Sequence, residues 1–385
     1  MNKDKIAIVS AVPETILAFM TKHLQALALE YSTYAICSNT SNISLERLIP
    51  GVAYLNTPIE RKISPFMDLI SLFKLILLFR SHQFILVQSI TPKAGLLSMF
   101  AAWICRIPIR VHVFTGQAWV TRKGFSRWYL KSFDRLIAFL ATSLLADSPS
   151  QKQFLVDEGI ANARDIQVLA DGSVCGVDDL KFKPNAEAKK EIRAQLSIPE
   201  EATVALFIGR LKRDKGVLDL ASAFGGLDSS FNSLYLVFVG PDEDELREQI
   251  LHLVSLGRNQ VRFVGHVNNP EDFIAAADFL CLPSYREGFG LVTIEAAAVG
   301  IPTLASRIYG ITDAVIDGVT GLLHEPGDLA GIADGLRTMA AIPETRKSMG
   351  DVARKRALEL FPTSRVVNAQ LIYYKSLIQK YRNHA

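Results

Sequence analysis

Along most of the chain, short runs of β-branched and aliphatic residues alternate with longer stretches in which apolar positions recur every three or four residues. An apolar run of four to six residues marks a strand buried on both faces, and a period near 3.6 marks an amphipathic helix. The alternation therefore predicts βα units on parallel sheets. In the first half the predicted strands are Lys5–Val9, Tyr34–Ser38, Phe84–Ser89, Arg110–Phe114, Ser143–Ala146 and Gln167–Ala170. In the second half they are Val204–Ile208, Leu234–Val239, Val261–Val264, Phe279–Pro283, Pro302–Ala305 and Gly321–His324. Predicted helices between them include Thr15–Glu30, Asp68–Arg80, Arg127–Ala141, Asp244–Leu256 and Leu291–Val299. The fold class is α/β, with two doubly wound domains.

Strand signals stop over Asp178–Ile198, where the charged, proline-punctuated Lys181–Pro184 leads into the helical Ala186–Leu196. This places the boundary near Pro184, giving domains of residues 1–183 and 184–362. Thr363–Lys380 is helical in period and follows Phe361–Pro362, so residues 363–385 can leave the second domain and dock elsewhere.

A chain of 385 residues, 49% hydrophobic and 21% charged, can bury sizeable cores in two or three domains, which excludes a disordered or fibrous protein. The longest apolar run, Ala94 to Cys105, is too short to span a bilayer. The apolar stretch at the start ends at Pro13 and Glu14, too early for a signal peptide, so a cytoplasmic location is expected. Cys37, Cys105, Cys175 and Cys281 show no CxxC spacing, so buried thiols are expected rather than a zinc site or disulfides.

Charge divides the chain. Residues 1–183 carry 20 basic and 14 acidic side chains, which leaves the second half mildly acidic within a net charge of +3. From Arg61 to Arg135 there are twelve Lys or Arg against two acids, Asp68 and Asp134. The cations, among them Arg61, Lys62, Lys74, Arg80, Arg106, Arg110, Arg122, Lys123, Arg127, Lys131 and Arg135, are interleaved with Trp103, Trp119, Trp128 and Tyr129. Such a surface suits an anionic membrane face, and a charged outer face over core helices is the competing reading. No recognition module for nucleic acid accompanies it, so nucleic acid is not expected as a partner.

The turn after the first strand reads Ser10-Ala11-Val12-Pro13-Glu14-Thr15, without the G-x-G-x-x-G that a dinucleotide needs for close backbone approach. No P-loop motif occurs either, which disfavours oxidoreductase and nucleotidase classes. In the second half, Gly209 ends a strand and is followed by Arg210 and Lys215, two cations that can converge on one anion such as a diphosphate. A solvated charged loop is the alternative. Further on, Pro283-Ser284-Tyr285-Arg286-Glu287-Gly288-Phe289-Gly290-Leu291-Val292 carries a strand end, a Gly-rich loop with Glu287, and a helix start whose free amides form an anion site. Glu287 and Glu295 can accept hydrogen bonds from sugar hydroxyls around that site, whereas Glu295 taken alone reads as a helix-surface acid.

The E-x7-E pair Glu287 and Glu295 in its PSYREGFG context, the upstream GRL-x3-KG, and Gly300-Ile301-Pro302 to Gly321-Leu322-Leu323 together resemble the retaining GT-B glycosyltransferases of family 4. The match covers essentially the whole second domain. The first half resembles the subset that builds bacterial surface polysaccharides, through His112 to Gln117 and Gly172-Ser173 to Gly176-Val177-Asp178. The resemblance implies a GT-B fold: two Rossmann-like domains facing across a cleft, with the C-terminal helix crossing back to the N-terminal domain. It also implies site roles. Arg210 and Lys215 hold the diphosphate, Glu287 contacts the donor sugar, and Glu295 the ribose. Phe289, Gly290, Leu291 and Val292 meet the phosphates through their backbone, Gly209 permits the turn, and His266 and Val267 pack the base edge.

On the acceptor side the expected residues are Glu14, Thr15, His112, Thr115 and Gly116. The chain departs from many relatives there, with Val12-Pro13-Glu14 in place of a Gly-Gly turn and Thr115 where histidine is common. The implied reaction moves a hexose or N-acetylhexosamine from a nucleotide-diphosphate sugar, UDP-linked, to a polyprenyl-diphosphate-linked glycan. It proceeds with retention and needs no cofactor or metal, at the cytoplasmic face of the inner membrane. A non-hydrolysing sugar-nucleotide 2-epimerase and a non-catalytic scaffold are the alternatives.

Overall fold

A computed structural model describes residues 3–38, 49–60, 64–254 and 260–384. The basic pair Arg61 and Lys62 and the last two residues of the predicted helix Asp244–Leu256 lie outside this set. By its internal contacts the chain divides into two units, residues 1–175 with 363–385, and residues 176–362.

The first unit holds a seven-stranded parallel sheet: β1 (Lys5–Val9), β2 (Ser32–Cys37), β3 (Val52–Asn56), β4 (Leu86–Ile90), β5 (Ile109–Phe114), β6 (Ser143–Ala146) and β7 (Ile166–Val168), in the order β3-β2-β1-β4-β5-β6-β7. Alternation along β1 sends Ile6 and Ile8 to one face and Ala7 and Val9 to the other. The first face packs with Leu24 of the helix Thr21–Glu30 and with Tyr374 and Ile378 of the helix Thr363–His384. The second packs with Leu75 and Phe79 of Pro65–His82, Ala94 and Leu97 of Pro92–Ile104, and Ile137 and Leu140 of Gly124–Leu140.

The second unit holds a six-stranded parallel sheet: β8 (Thr203–Ile208), β9 (Leu234–Val239), β10 (Val261–Gly265), β11 (Phe279–Leu282), β12 (Thr303–Ser306) and β13 (Gly321–His324), in the order β10-β9-β8-β11-β12-β13. Val204 and Leu206 of β8 face a core shared with Ile294 and Ala353, while Ala205 and Phe207 face one shared with Leu220 and Leu336. In each sheet the strand order reverses once, between β1 and β4 and between β8 and β11. Ligands of doubly wound sheets bind beyond the carboxyl ends of the strands at such points.

The division falls before Gly176, not at the expected Pro184. The Val177 amide donates to the Phe361 carbonyl at 2.8 Å, and Val177 and Phe182 are buried in the second unit's core. The C-terminal helix shows one buried stripe, Val366, Gln370, Tyr374 and Ile378, four residues apart. Inside it Gln370 donates to Gln88 Oε1 at 2.9 Å, and Tyr374 also hydrogen-bonds that oxygen. Arg382 and Lys375 add ion pairs to Asp4 and Glu30. No helix among the described residues is long and apolar enough to cross a membrane.

Candidate functional site

The carboxyl ends of β10, β9, β8 and β11 lie side by side, and they carry most of the expected donor residues. Gly209 leaves β8 at φ +154, and a Cβ on Gly240, just after β9, would stand 1.9 Å from the Gly209 carbonyl, so these two loops touch through their backbones. Arg210 and Lys215 do not meet on a common partner. Arg210 donates to Glu243 Oε2 at 3.1 Å in the loop after β9, and Lys215 Nζ donates to Glu287 Oε1 at 2.6 Å in the loop after β11.

Glu287 is the centre of this arrangement. Its Oε1 also accepts from Ser284 Oγ at 2.8 Å, so a hydroxyl and an ammonium fix one carboxylate oxygen. The loop that carries it is fastened to the loop after β8, and to the helix Val217–Gly225 that follows, by three further contacts. The Tyr285 amide donates to the Asp214 carbonyl at 3.0 Å, Arg286 pairs with Asp214 at 2.8 Å, and the Tyr285 hydroxyl donates to Asp219 Oδ2 at 2.7 Å. Burial alone would raise the Asp214 carboxyl, but the hydrogen bond and charge of Arg286, with Lys215 and Arg210 nearby, hold it below its ordinary value. Gly216, at φ +68, caps the next helix, Val217–Gly225. A Cβ there would lie 2.0 Å from the Pro283 carbonyl oxygen, so only glycine lets the two loops approach this closely.

Gly290, at φ +75, turns the chain into the helix Leu291–Val299, while Phe289 is buried edge-on against Phe361. This aims the helix N-terminus, with the amides of Leu291 and Val292, along the same edge as Lys215 and Glu287. Glu295 is partly buried in the second turn. Burial pushes its carboxyl up to about 7, Glu271 adds to the rise, and Lys181 opposes it. His266 is exposed and Val267 packs on the core just after β10. Among the described residues no three His, Cys, Asp or Glu side chains gather in a set that could hold a metal ion.

The expected acceptor residues fare unequally. Glu14 is exposed and Thr15 buried just beyond β1, and Thr115 and Gly116 follow β5 directly. His112 must be corrected. It is 1% exposed, hydrogen-bonded through Nδ1 to Ser89 Oγ at 2.8 Å, and edge-on to Phe114. A Cβ on Gly95 would stand 2.5 Å from its ring, and burial pushes its pKa down to about 3. It is a core histidine.

Sequence reasoning gave no role to Ser284, Tyr285, Asp214 or Asp219, although the first three lie within the motifs it singled out. It also passed over Thr91, at the end of β4 beside the first switch point. This non-glycine residue has φ +77, and its buried Oγ1 lacks a hydrogen-bond partner. Strain of that kind concentrates at functional sites.

Two doubly wound parallel sheets of this order match the GT-B fold, and the cation–carboxylate edge lies at the second switch point. Sucrose-phosphate synthase from Thermosynechococcus elongatus superposes with a TM-score of 0.81 at 22% identity, over 98% of this chain and 100% of that one. The Anabaena protein HepE, solved in complex with UDP and glucose, gives 0.79 at 19% identity, over 97% and 100%. The glycosyl transferases group 1 family matches residues 188–356 and the glycosyl transferase 4-like domain matches residues 16–172. The capsular polysaccharide biosynthesis glycosyltransferase CapM of Staphylococcus aureus is 33% identical over 305 residues, 79% of this chain and 80% of that protein. The chain therefore belongs to the GT-B glycosyltransferases of family 4 type, and the epimerase alternative is set aside.

Proposed function

We propose that this glycosyltransferase moves a hexose or N-acetylhexosamine from a UDP-linked donor to a polyprenyl-diphosphate-linked glycan. The reaction retains anomeric configuration, needs no metal, and takes place at the cytoplasmic face of the inner membrane during assembly of a surface polysaccharide such as O-antigen or capsule. The observation that carries the donor side is the Lys215–Glu287 pair, held at 2.6 Å beside the N-terminus of Leu291–Val299. Cations and helix amides together suit a diphosphate, and a carboxylate in the same place suits the hydroxyls of the sugar attached to it. The UDP and glucose held by HepE, and the capsule role in the name of the CapM relative, agree with this reading.

In the proposed step the bond between the sugar C1 and the diphosphate oxygen breaks as the acceptor hydroxyl oxygen bonds C1 on the same face. The hydroxyl proton passes to the departing phosphate. Lys215 and Arg210 stabilise the charge growing on the diphosphate, and Glu287 orients the sugar. Glu295 holds the ribose, His266 and Val267 flank the base, and Glu14, Thr15, Thr115 and Gly116 line the acceptor side.

The test is a thermal-shift screen of the full chain against UDP-, GDP- and ADP-sugars with and without EDTA. A transfer assay onto a synthetic polyprenyl-diphosphate sugar follows, with the product anomer read by NMR. Stabilisation by UDP-sugars that survives EDTA, and a product with the donor's configuration, are expected. Selective stabilisation by another base, loss with EDTA, or an inverted product would each overturn the corresponding part.

A further inference from the structure

We propose that the outward face of the helix layer Pro65–His82, Pro92–Ile104 and Gly124–Leu140 is a docking surface that inserts into the interfacial zone of an anionic lipid bilayer. The inference rests on the lipid-linked acceptor proposed above for its purpose, and on the surface itself for its evidence.

The helix Pro65–His82 is apolar on two opposite sides. Its inner stripe, Leu75 and Phe79 with Leu72 and Ile76, packs on the core. Its outer stripe is Phe66, Leu69, Phe73 and Leu77, three or four residues apart, with Phe66 74% and Phe73 63% exposed. A helix apolar all round is normally buried all round. Gly124–Leu140 repeats the arrangement: Ile137 and Leu140 face inward, while Phe125, Trp128, Leu136 and Phe139 face outward, Phe125 at 75% and Phe139 at 78%. Pro92–Ile104 packs between these two and ends in an exposed Trp103 stacked on Phe100. Every exposed Phe and Trp among the described residues lies on this layer. Isolated exposed apolar side chains are ordinary, but such a concentration is not.

Charge selects the occupant. Residues 64–140 carry ten Lys or Arg and two acids. Asp68 pairs with Lys93, and Asp134 is buried under the indole of Trp119. This stretch therefore offers no free carboxylate, while Arg80, Arg106, Arg122, Lys123 and Arg135 are exposed. Tryptophan and phenylalanine anchors within a cationic rim match the acyl boundary and headgroups of an anionic leaflet. A second copy of the chain would oppose the same cations to themselves, at a cost. The surface is also held rigidly. Trp119 is clamped by Arg127 and Lys131 over its ring, both paired with Glu158, which fixes the start of Gly124–Leu140.

The experiment is flotation of the full chain with vesicles of phosphatidylglycerol and phosphatidylethanolamine, and with vesicles of phosphatidylcholine alone, without donor or acceptor. The wild type is expected to float with the anionic vesicles and to remain partly bound at about 0.5 M salt, because only its electrostatic share is screened. The double variants F66S/F73S and F125S/F139S are expected to lose about tenfold or more in partitioning, with donor-induced thermal shifts unchanged as proof of folding. Failure of the wild type to float, or flotation of both variants like the wild type, overturns the proposal. So does a dimer in solution that F66S/F73S dissociates while vesicles are ignored. A chain that transfers sugar but does not float refutes the docking alone, and one that floats but transfers nothing refutes the function alone.

Discussion

Replacing Gly216 with alanine tests whether the contact between the two donor loops matters as described. Gly216 has φ +68, a conformation that costs a residue bearing a Cβ about 1–2 kcal/mol. The new methyl would also begin 2.0 Å from the Pro283 carbonyl oxygen, closer by about an ångström than real Cβ contacts come. The backbone has to give way, and overpacking of this kind costs about 1–3 kcal/mol. The expected total is about 2–5 kcal/mol of unfolding free energy. Gly318 supplies the control, because its φ is +72 but nothing lies within 4 Å of the point where an added methyl would stand. Gly318→Ala should therefore cost only the backbone share, about 1–2 kcal/mol. Urea denaturation measures both, and an unchanged m-value keeps the comparison valid. Separating the loops should also stretch the Lys215–Glu287 contact beyond hydrogen-bond length and weaken donor stabilisation. Equal costs for the two variants, or a Gly216→Ala protein with wild-type stability and donor response, would show that the loops are not pressed together here.

Other expectations follow from the same structure. Lys215→Ala and Glu287→Gln should each lower turnover by about 100-fold or more while the circular dichroism stays that of the wild type, since in the proposed step each removes charge stabilisation at the diphosphate or the sugar; undiminished turnover would remove them from the mechanism. Asp147 is buried with Oδ1 unpartnered, and burial pushes its carboxyl up to about 8 from 3.8. Between those values the unfolded chain releases the proton and the folded chain keeps it, so stability falls as pH rises through this window. Asp147→Asn should flatten that fall in urea midpoints taken from pH 4 to 9, and an unchanged profile would count against it. Trp119→Phe removes the indole donor to Asp134, held at 2.7 Å, and should destabilise by about 1–3 kcal/mol, measured by thermal or urea unfolding.

The βα order was plain in the sequence because parallel strands are buried on both faces and read as unbroken apolar runs, as in Lys5–Val9 and Leu234–Val239. The strand Val52–Asn56 escaped notice for the opposite reason. It lies at the sheet edge with only Val52 buried, and its apolar run, Val52 to Leu55, is short and gives way at once to the polar Asn56 and Thr57. Glu287 and Lys215 were visible as motif positions, yet their pairing, and the stitching of their loops by Tyr285, Arg286, Asp214 and Asp219, depends on contacts between residues about seventy positions apart. His112 misled because a strand position says nothing of what covers it; the helix at Gly95 closes over its ring. The cations of the first half were equally visible, but the outward aromatic stripe of Pro65–His82 was hidden, since a helix apolar on all sides gives no sign of which side is bare.

The C-terminal helix has a consequence for how the chain is made. Tyr374 and Ile378 complete the core around Ile6, Ile8, Leu24 and Val111, so the first unit to leave the ribosome is the last able to close. Synthesis at about 5–20 residues per second puts roughly 10–40 s between the emergence of Cys175 and that of the final helix. Residues 176–362 are contiguous and contain every strand of their own sheet, so they can fold during that wait. The nascent protein thus matures from its middle outward, and its first sheet spends that interval with one face still lacking Tyr374 and Ile378.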